Sequence, residues 1–300
     1  MLAKGHKMTL KTELYTRRKM LKTLGVSVAA VPMLAFLGCN SDTVSSTDTT
    51  SDTDTSTDTD TSTDTDDTTT TNDSDYVSGT TALITDDFPD DSIFETSTAC
   101  VLALTQATTE GPCYFQADSD EDISDGLTGL PMMLCLQLID SDCNPLANYE
   151  ISVWHCDTSG IYSGDTSSSS DSSRFAGDFC TDGDAEAEAS TWYRGSLITD
   201  SSGRVNFKTH FPGWYSGRTI HIHFKVANNN NDYVISQFCF TDAFAKEICT
   251  THSDYKSRGE QDTTLASNDN VFGSDYEQFI LNTAQNSDGT LLAYHTIQIS

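Results

Sequence analysis

Residues 40–75 consist almost wholly of Ser, Thr and Asp, with eleven Asp, a single Val and no Lys or Arg. A segment with nothing apolar to bury cannot offset the entropy lost on ordering its backbone, and its like charges stretch it further. It is expected to be a disordered tether, reaching roughly 30–35 Å end to end as a flexible coil. Folding is thereby confined to residues 76–300, and the chemistry of the chain has to be sought there.

The 39 residues ahead of the tether have the opposite charge: seven of the chain's sixteen Lys and Arg, and one acid, Glu13. A 15-residue apolar run over 24–38 follows and ends at Cys39. A basic start, a short apolar middle and small residues before a cleavage point form an export signal, so 1–39 is read as one. Thr16-Arg17-Arg18-Lys19 resembles the bacterial twin-arginine signal, and Phe36-Leu37-Gly38-Cys39 resembles a lipobox with Cys39 as the lipidated residue. The expected location is periplasmic or cell-surface, as a membrane-anchored bacterial lipoprotein. No apolar run reaches the roughly 18 residues of a spanning helix, so the lipid is the only membrane contact expected.

The domain keeps nine basic residues against 33 acidic ones. That balance excludes nucleic acid as a partner, because such binding rests on neutralising phosphates with Lys and Arg. Eight cysteines follow Cys39: Cys100, Cys113, Cys135, Cys143, Cys156, Cys180, Cys239 and Cys249. An even number in an exported domain predicts disulfides, here at least two, with the pairing open. Short segments of alternating polarity at 133–139, 150–156, 204–209, 219–226, 233–240 and 291–299 read as strands between polar turns. No stretch shows a sustained helical period, and 164–189 reads as one long irregular loop. The pattern is all-β, a sandwich or a barrel.

The segment 211–226 carries the most chemistry. At its end Ile220, Ile222, Phe224 and Val226 take one face of a strand, and His221, His223 and Lys225 take the other. The two imidazoles then project together, roughly 6–7 Å apart along the chain, which suits two ligands of one metal. On its own a His-x-His strand is a weak signal and more often a surface or structural pair. Its context is fuller: Pro212-Gly213 makes a turn, Tyr215 precedes His221 by six positions and Arg218 by three. Upstream, Val153-Trp154-His155-Cys156 runs into a turn and a second tyrosine, Gly160-Ile161-Tyr162. Thr109-Glu110-Gly111-Pro112-Cys113-Tyr114 lies earlier, and Ser236-Gln237-Phe238 later on another strand.

In these segments together the sequence resembles the intradiol ring-cleavage dioxygenases, the family of protocatechuate and catechol dioxygenases, over about residues 105–299. The resemblance implies a β-sandwich of the intradiol dioxygenase type with long irregular loops. It implies a mononuclear non-haem Fe(III) held by Tyr162, Tyr215, His221 and His223, with Tyr215 as the ligand that substrate displaces and that takes up a proton. Arg218 would stabilise charge developing on the ring, Gln237 would hydrogen-bond Arg218 or the substrate, and Gly111, Pro112 and Tyr114 would wall the pocket. The implied reaction is cleavage of a catechol-type aromatic diol by O2 to a cis,cis-muconate-type diacid. The donor set suits the ion, since Fe(III) is a hard cation that favours anionic oxygen, and imidazole also suits iron.

Cys113 departs from the family, which has an aromatic there, and a disulfide at Cys113 would reshape the pocket; the helical N-terminal dimerisation segment is missing, so substrate and oligomeric state stay open. Catechol, protocatechuate, hydroxyquinol and larger lignin-derived diphenols all fit. His155 is read as structural. A twin-arginine route carries folded protein, so iron would be loaded before disulfides close, and the bridges are expected at the periphery of the iron site. Two rivals stand beside this reading. One is a non-catalytic exported β-sandwich binding lipoprotein with a vestigial metal site; the other is a zinc hydrolase, which would need a third histidine or carboxylate ligand.

Overall fold

A computed structural model describes residues 74–94, 104–164, 178–266 and 269–300, all within one compact unit, Asp67–Ser300. The expected export signal with Cys39, and the tether up to residue 73, lie outside the described residues. No helix among the described residues is long and apolar enough to cross a membrane.

Strand β1 (Pro131–Ile139) is apolar at nearly every position because both its faces are covered. Met132, Leu134, Leu136 and Leu138 enter the main core, while Met133 and Cys135 meet a smaller cluster with Ile84 and Leu292 on the other face. Seven more strands follow: β2 (Glu150–Trp154), β3 (Arg194–Ile198), β4 (Arg204–His210), β5 (His221–Asn228), β6 (Asn231–Cys239), β7 (Asn282–Gln285) and β8 (Leu291–Gln298). They form two four-stranded sheets, ordered β4-β1-β8-β7 and β3-β2-β5-β6, with β1 and β8 parallel and every other pair antiparallel. Alternate residues of both sheets share one core, with Phe207, Leu291 and Ile297 from the first and Ile151, Val153, Ile222, Phe224 and Phe238 from the second. This is the all-β sandwich expected.

Three features depart from the expected pattern. Strand β3 opens on Arg194-Gly195 and β7 reads Asn-Thr-Ala-Gln, so neither carries the apolar alternation that marks a strand; both are edge strands. A ten-residue helix, α2 (Asp242–Thr251), follows β6, capped by the Thr241 hydroxyl accepting from the Phe244 N–H at 3.2 Å. It buries only Ala245, Ile248 and Cys249, too short an apolar stripe to stand out against the preceding strand. Within the expected loop 164–189, Asp184 caps a four-residue helix, α1 (Ala185–Glu188); residues 165–177 lie outside the described part.

Asn229 and Asn230 join β5 to β6 with φ of 48° and 65°, the left-handed pair that a tight hairpin turn requires and asparagine tolerates. A buried polar group ties the sheets together. His155 bonds Thr209 Oγ1 and the Cys156 carbonyl, both at 2.7 Å, and stacks on Tyr193, whose hydroxyl lies 3.1 Å from His210 Nδ1. His155 is thus structural. Burial pushes His155 down to about 3 and His210 down to about 4. Both stay neutral in the fold while the unfolded chain protonates them near 6.5. The unfolded state therefore binds more protons below that pH. Stability should be full above about pH 6.5 and fall by about 1.4 kcal/mol per pH unit per histidine as pH drops toward 4. Thermal melts of the apo-domain between pH 8 and pH 4 check this; a flat Tm would refute it.

Candidate metal centre

The face of the second sheet that points away from the core carries a row of four side chains, one per strand. Trp154 on β2 lies opposite Arg194 on β3 and opposite His223 on β5, and His223 lies opposite Gln237 on β6. Period-two alternation sends these residues to this face because Ile222, Phe224, Val153 and Phe238 go to the core. The Trp154 and His223 rings stack at 4.9 Å and 12°. His221 joins the face two residues from His223, and both imidazoles are buried.

The tyrosines arrive on two turns that interlock through glycines. Gly160 has φ +83°, and a Cβ there would sit 2.1 Å from the Trp214 carbonyl oxygen. A Cβ on Gly213 would sit 2.4 Å from the Thr158 carbonyl oxygen. The Gly213 N–H donates to the Asp157 carbonyl at 2.9 Å, and Asp157 Oδ1 accepts from Ser159 N at 2.8 Å and Ile161 N at 2.9 Å. Each glycine lets the other turn approach, which fixes Tyr162 and Tyr215 against one another. Gly160→Ala should cost about 1–2 kcal/mol from the left-handed conformation alone and more from the clash. It should lower Tm and loosen metal retention together; an unchanged melt would show that the turns are not locked.

Four donor atoms converge. His221 Nε2 lies 3.2 Å from Tyr162 Oη, 3.2 Å from Tyr215 Oη and 3.2 Å from His223 Nε2. His221 Nδ1 donates to the Thr219 carbonyl at 2.7 Å, which leaves Nε2 as the lone-pair nitrogen. That single lone pair accepts one hydrogen bond, yet three polar atoms crowd it. His223 Nδ1 is buried and makes no hydrogen bond. Donors held about 2 Å from one ion lie roughly 3–3.5 Å from each other, so one cation at the centre satisfies all four. Among the described residues no cluster of three or more His, Cys, Asp or Glu is gathered as a metal site; the four donors that converge here are two phenols and two imidazoles.

Without a cation the centre is neutral. Burial pushes Tyr162 well above its ordinary value and Tyr215 up to about 12, the latter moderated by the Arg218 charge. Burial and Arg218 push His221 down to about 3, and burial with His221 pushes His223 well below its ordinary value. The imidazoles are therefore free-base donors at neutral pH, and a highly charged cation beside the phenols reverses their preference and favours phenolate.

Arg218 stands beside this group. Its Nη2 donates to Gln237 Oε1 at 2.6 Å and its Nε to Asp269 Oδ2 at 2.9 Å, while Gln237 Nε2 donates to the Thr109 carbonyl at 2.9 Å. Gly111 packs on His223, with an added Cβ only 3.4 Å from its Cε1. Pro112 is half-buried, and Tyr114 reaches the centre through Trp154, its ring 4.7 Å away, under the Lys225 ammonium at 4.8 Å. Cys113 is bridged to Cys180, and Cys143 is also disulfide-bonded, giving the two bridges expected at least. The expectation that bridges are peripheral to the site is corrected. Cys113, Cys180, Tyr114, Trp154 and Tyr162 form one cluster, and the Cys180 carbonyl accepts the Tyr162 N–H at 2.8 Å.

Two residues of this centre carry no local signal in the sequence. Asp269 lies in a polar loop 51 residues from its partner Arg218, and Arg194 opens the unrecognised strand β3.

A dioxygenase family profile matches residues 109–277, more than half of the chain and every residue of the centre described above. The chain belongs to the intradiol ring-cleavage dioxygenase family. An intradiol ring-cleavage dioxygenase from Tetranychus urticae is similar at 25% identity and TM-score 0.55, covering 66% of this chain and 95% of that one. A second solved dioxygenase gives 25% identity and TM-score 0.53 with the same coverage. The 3-chlorocatechol 1,2-dioxygenase of Rhodococcus opacus gives 16% identity and TM-score 0.45, covering 65% and 71%. No curated protein matches the chain.

Proposed function

We propose that this domain cleaves a catechol-type aromatic diol with O2, between the two hydroxyl-bearing carbons, to a cis,cis-muconate-type diacid, at a mononuclear non-haem Fe(III) held by Tyr162, Tyr215, His221 and His223. The observation that carries the reading is the convergence of two phenol oxygens and two imidazole nitrogens around His221 Nε2, three contacts at 3.2 Å. When bound, Fe(III) supplies a hard acceptor for both diol oxygens and activates the ring toward O2.

The protein's own part follows from burial and charge. Tyr162 is buried and Tyr215 half-buried, so Tyr215 is the phenol with room to swing away when substrate enters. Away from an ion, its Oη would hold a proton at neutral pH, because burial raises it to about 12. That makes it the sink for a substrate hydroxyl proton. Arg218, held by Asp269 and Gln237, presents a fixed positive charge to negative charge developing on the ring. The half-buried side of the centre, between Tyr215 and the 111–114 segment, is where the diol enters. We also place the domain outside the cytoplasm, tethered through lipidated Cys39. The basic and apolar text of 1–39 supports this, as does a bridge such as Cys113–Cys180, which persists in oxidising compartments.

Iron-loaded protein offered catechol, protocatechuate, hydroxyquinol and a larger diphenol should consume O2 in step with diacid formation from at least one of them. Iron-loaded protein that leaves all four intact would favour the binding-lipoprotein reading. A zinc hydrolase would need a third histidine or carboxylate beside His221 and His223, and none is gathered there among the described residues.

A further inference from the structure

Arg194 is a buried cation with no counter-ion among the described residues. Its residue is 4% exposed, and among the described residues no carboxylate pairs with it. Nε donates to the Ser163 carbonyl at 3.0 Å and to Ser163 Oγ at 3.2 Å, and Nη2 donates to the same carbonyl at 2.6 Å. Nη1 is buried and makes no hydrogen bond. The guanidinium carbon lies 4.2 Å from the Phe115 ring centre and 5.8 Å from that of Tyr162. Aromatic faces and a carbonyl compensate a buried guanidinium only in part, and an uncompensated buried charge is strongly destabilising. A sequence gains nothing by burying such a charge for packing alone when an apolar side chain would serve.

The neighbourhood says what the charge is for. Ser163, clamped by three of the guanidinium's hydrogen bonds, directly follows Tyr162 in the chain. Arg194 also ends the cross-strand row that continues through Trp154 to His223, so it lies on the face that carries the donors. The Arg218 charge acts on both tyrosines, whereas Arg194 lies over the ring of the buried Tyr162.

We propose that Arg194 is a positioning residue for Tyr162: its guanidinium fixes the Tyr162 backbone through Ser163 and balances the negative charge of the phenolate ligand. This rests on the iron reading above. Positive charge over the donor ring lowers the energy of the donor electrons, so phenolate-to-iron charge transfer lies at shorter wavelength with Arg194 present than without it. Removing the charge moves the band to longer wavelength and weakens iron retention about 10- to 100-fold, the effect usual for groups that support a ligand.

The test compares iron-loaded wild type with Arg194→Met, Arg194→Gln and Arg194→Lys by visible absorption and iron titration. Arg194→Gln keeps an N–H for the Ser163 carbonyl and serves if Arg194→Met does not fold. Expected are a longer-wavelength band and weaker iron binding in both neutral variants, with the Lys variant nearer wild type. A band that stays at the wild-type position in a folded neutral variant, even one with a lowered Tm, would show that Arg194 is only a structural clamp. A wild-type protein with no charge-transfer band would overturn the iron reading itself, and this inference with it.

Discussion

His221→Ala should lose its iron and, with it, all diol-dependent O2 uptake, while remaining folded. His221 Nε2 is the atom common to all three 3.2 Å contacts of the centre. Its truncation leaves the two phenols and His223 without their hub. Loss of a residue that merely supports a ligand costs about 10- to 100-fold in metal affinity, so loss of the hub donor should cost more than about 100-fold. The fold pays less: one hydrogen bond to the Thr219 carbonyl, worth about 1 kcal/mol, and a small cavity. Tyr162→Phe keeps the ring and removes only the oxygen, so it should weaken iron binding with little effect on Tm. Metal analysis beside circular dichroism decides the matter. His221→Ala protein that keeps stoichiometric iron would remove the ligand assignment.

Arg218→Met should damage both turnover and stability, and the two losses can be separated. The Asp269 side chain is 0% exposed, and its ion pair with Arg218 is 2.9 Å long. Burial works to raise the Asp269 carboxyl, but Arg218 and the Thr219 and Val271 N–H groups hold it below its ordinary value. Removing Arg218 strands that carboxylate, a loss of about 3–5 kcal/mol when one partner of a buried pair is deleted. The positive charge proposed to face the substrate ring disappears as well, which should lower kcat about 100- to 1,000-fold. The double variant Arg218→Met with Asp269→Asn removes the stranded charge. It should recover most of the Tm and none of the kcat. Recovery of both would mean that Arg218 acts only by holding Asp269, and the charge-stabilising role would fall.

The parts of this centre that sequence exposed are those whose geometry is set locally. Alternation on one strand put His221 and His223 on the same face, and glycine turns marked the approach of Tyr162 and Tyr215. Gln237 was legible only through the resemblance, because its place opposite His223 depends on the β5–β6 register, which starts at the Asn229-Asn230 hairpin and is shifted by one residue at a bulge between Val226 and Ala227. Arg194 and Asp269 stayed hidden. Each acts across a long separation, Asp269 on Arg218 and Arg194 on Ser163, and neither residue type is unusual where it stands. The Cys113–Cys180 bridge closes a separation of 67 residues with no local pattern to announce its pairing, and the export argument, which concerns the order of iron loading and oxidation, says nothing of where a given cysteine lies in the fold. In the chain-entropy account a loop of that length is worth about 4 kcal/mol. Helix α2 was missed for another reason: three buried apolar residues in ten do not make a visible period.

Iron at this centre is tested most directly by the metal content and visible spectrum of the protein as purified, with and without a catechol added in the absence of O2. Two phenolates on Fe(III) give a strong charge-transfer colour, and a diol that displaces Tyr215 must move it. The result predicted is one iron per chain, a burgundy band, and a shift of that band when the diol binds. Colourless protein carrying zinc, or iron whose band no catechol moves, would contradict it.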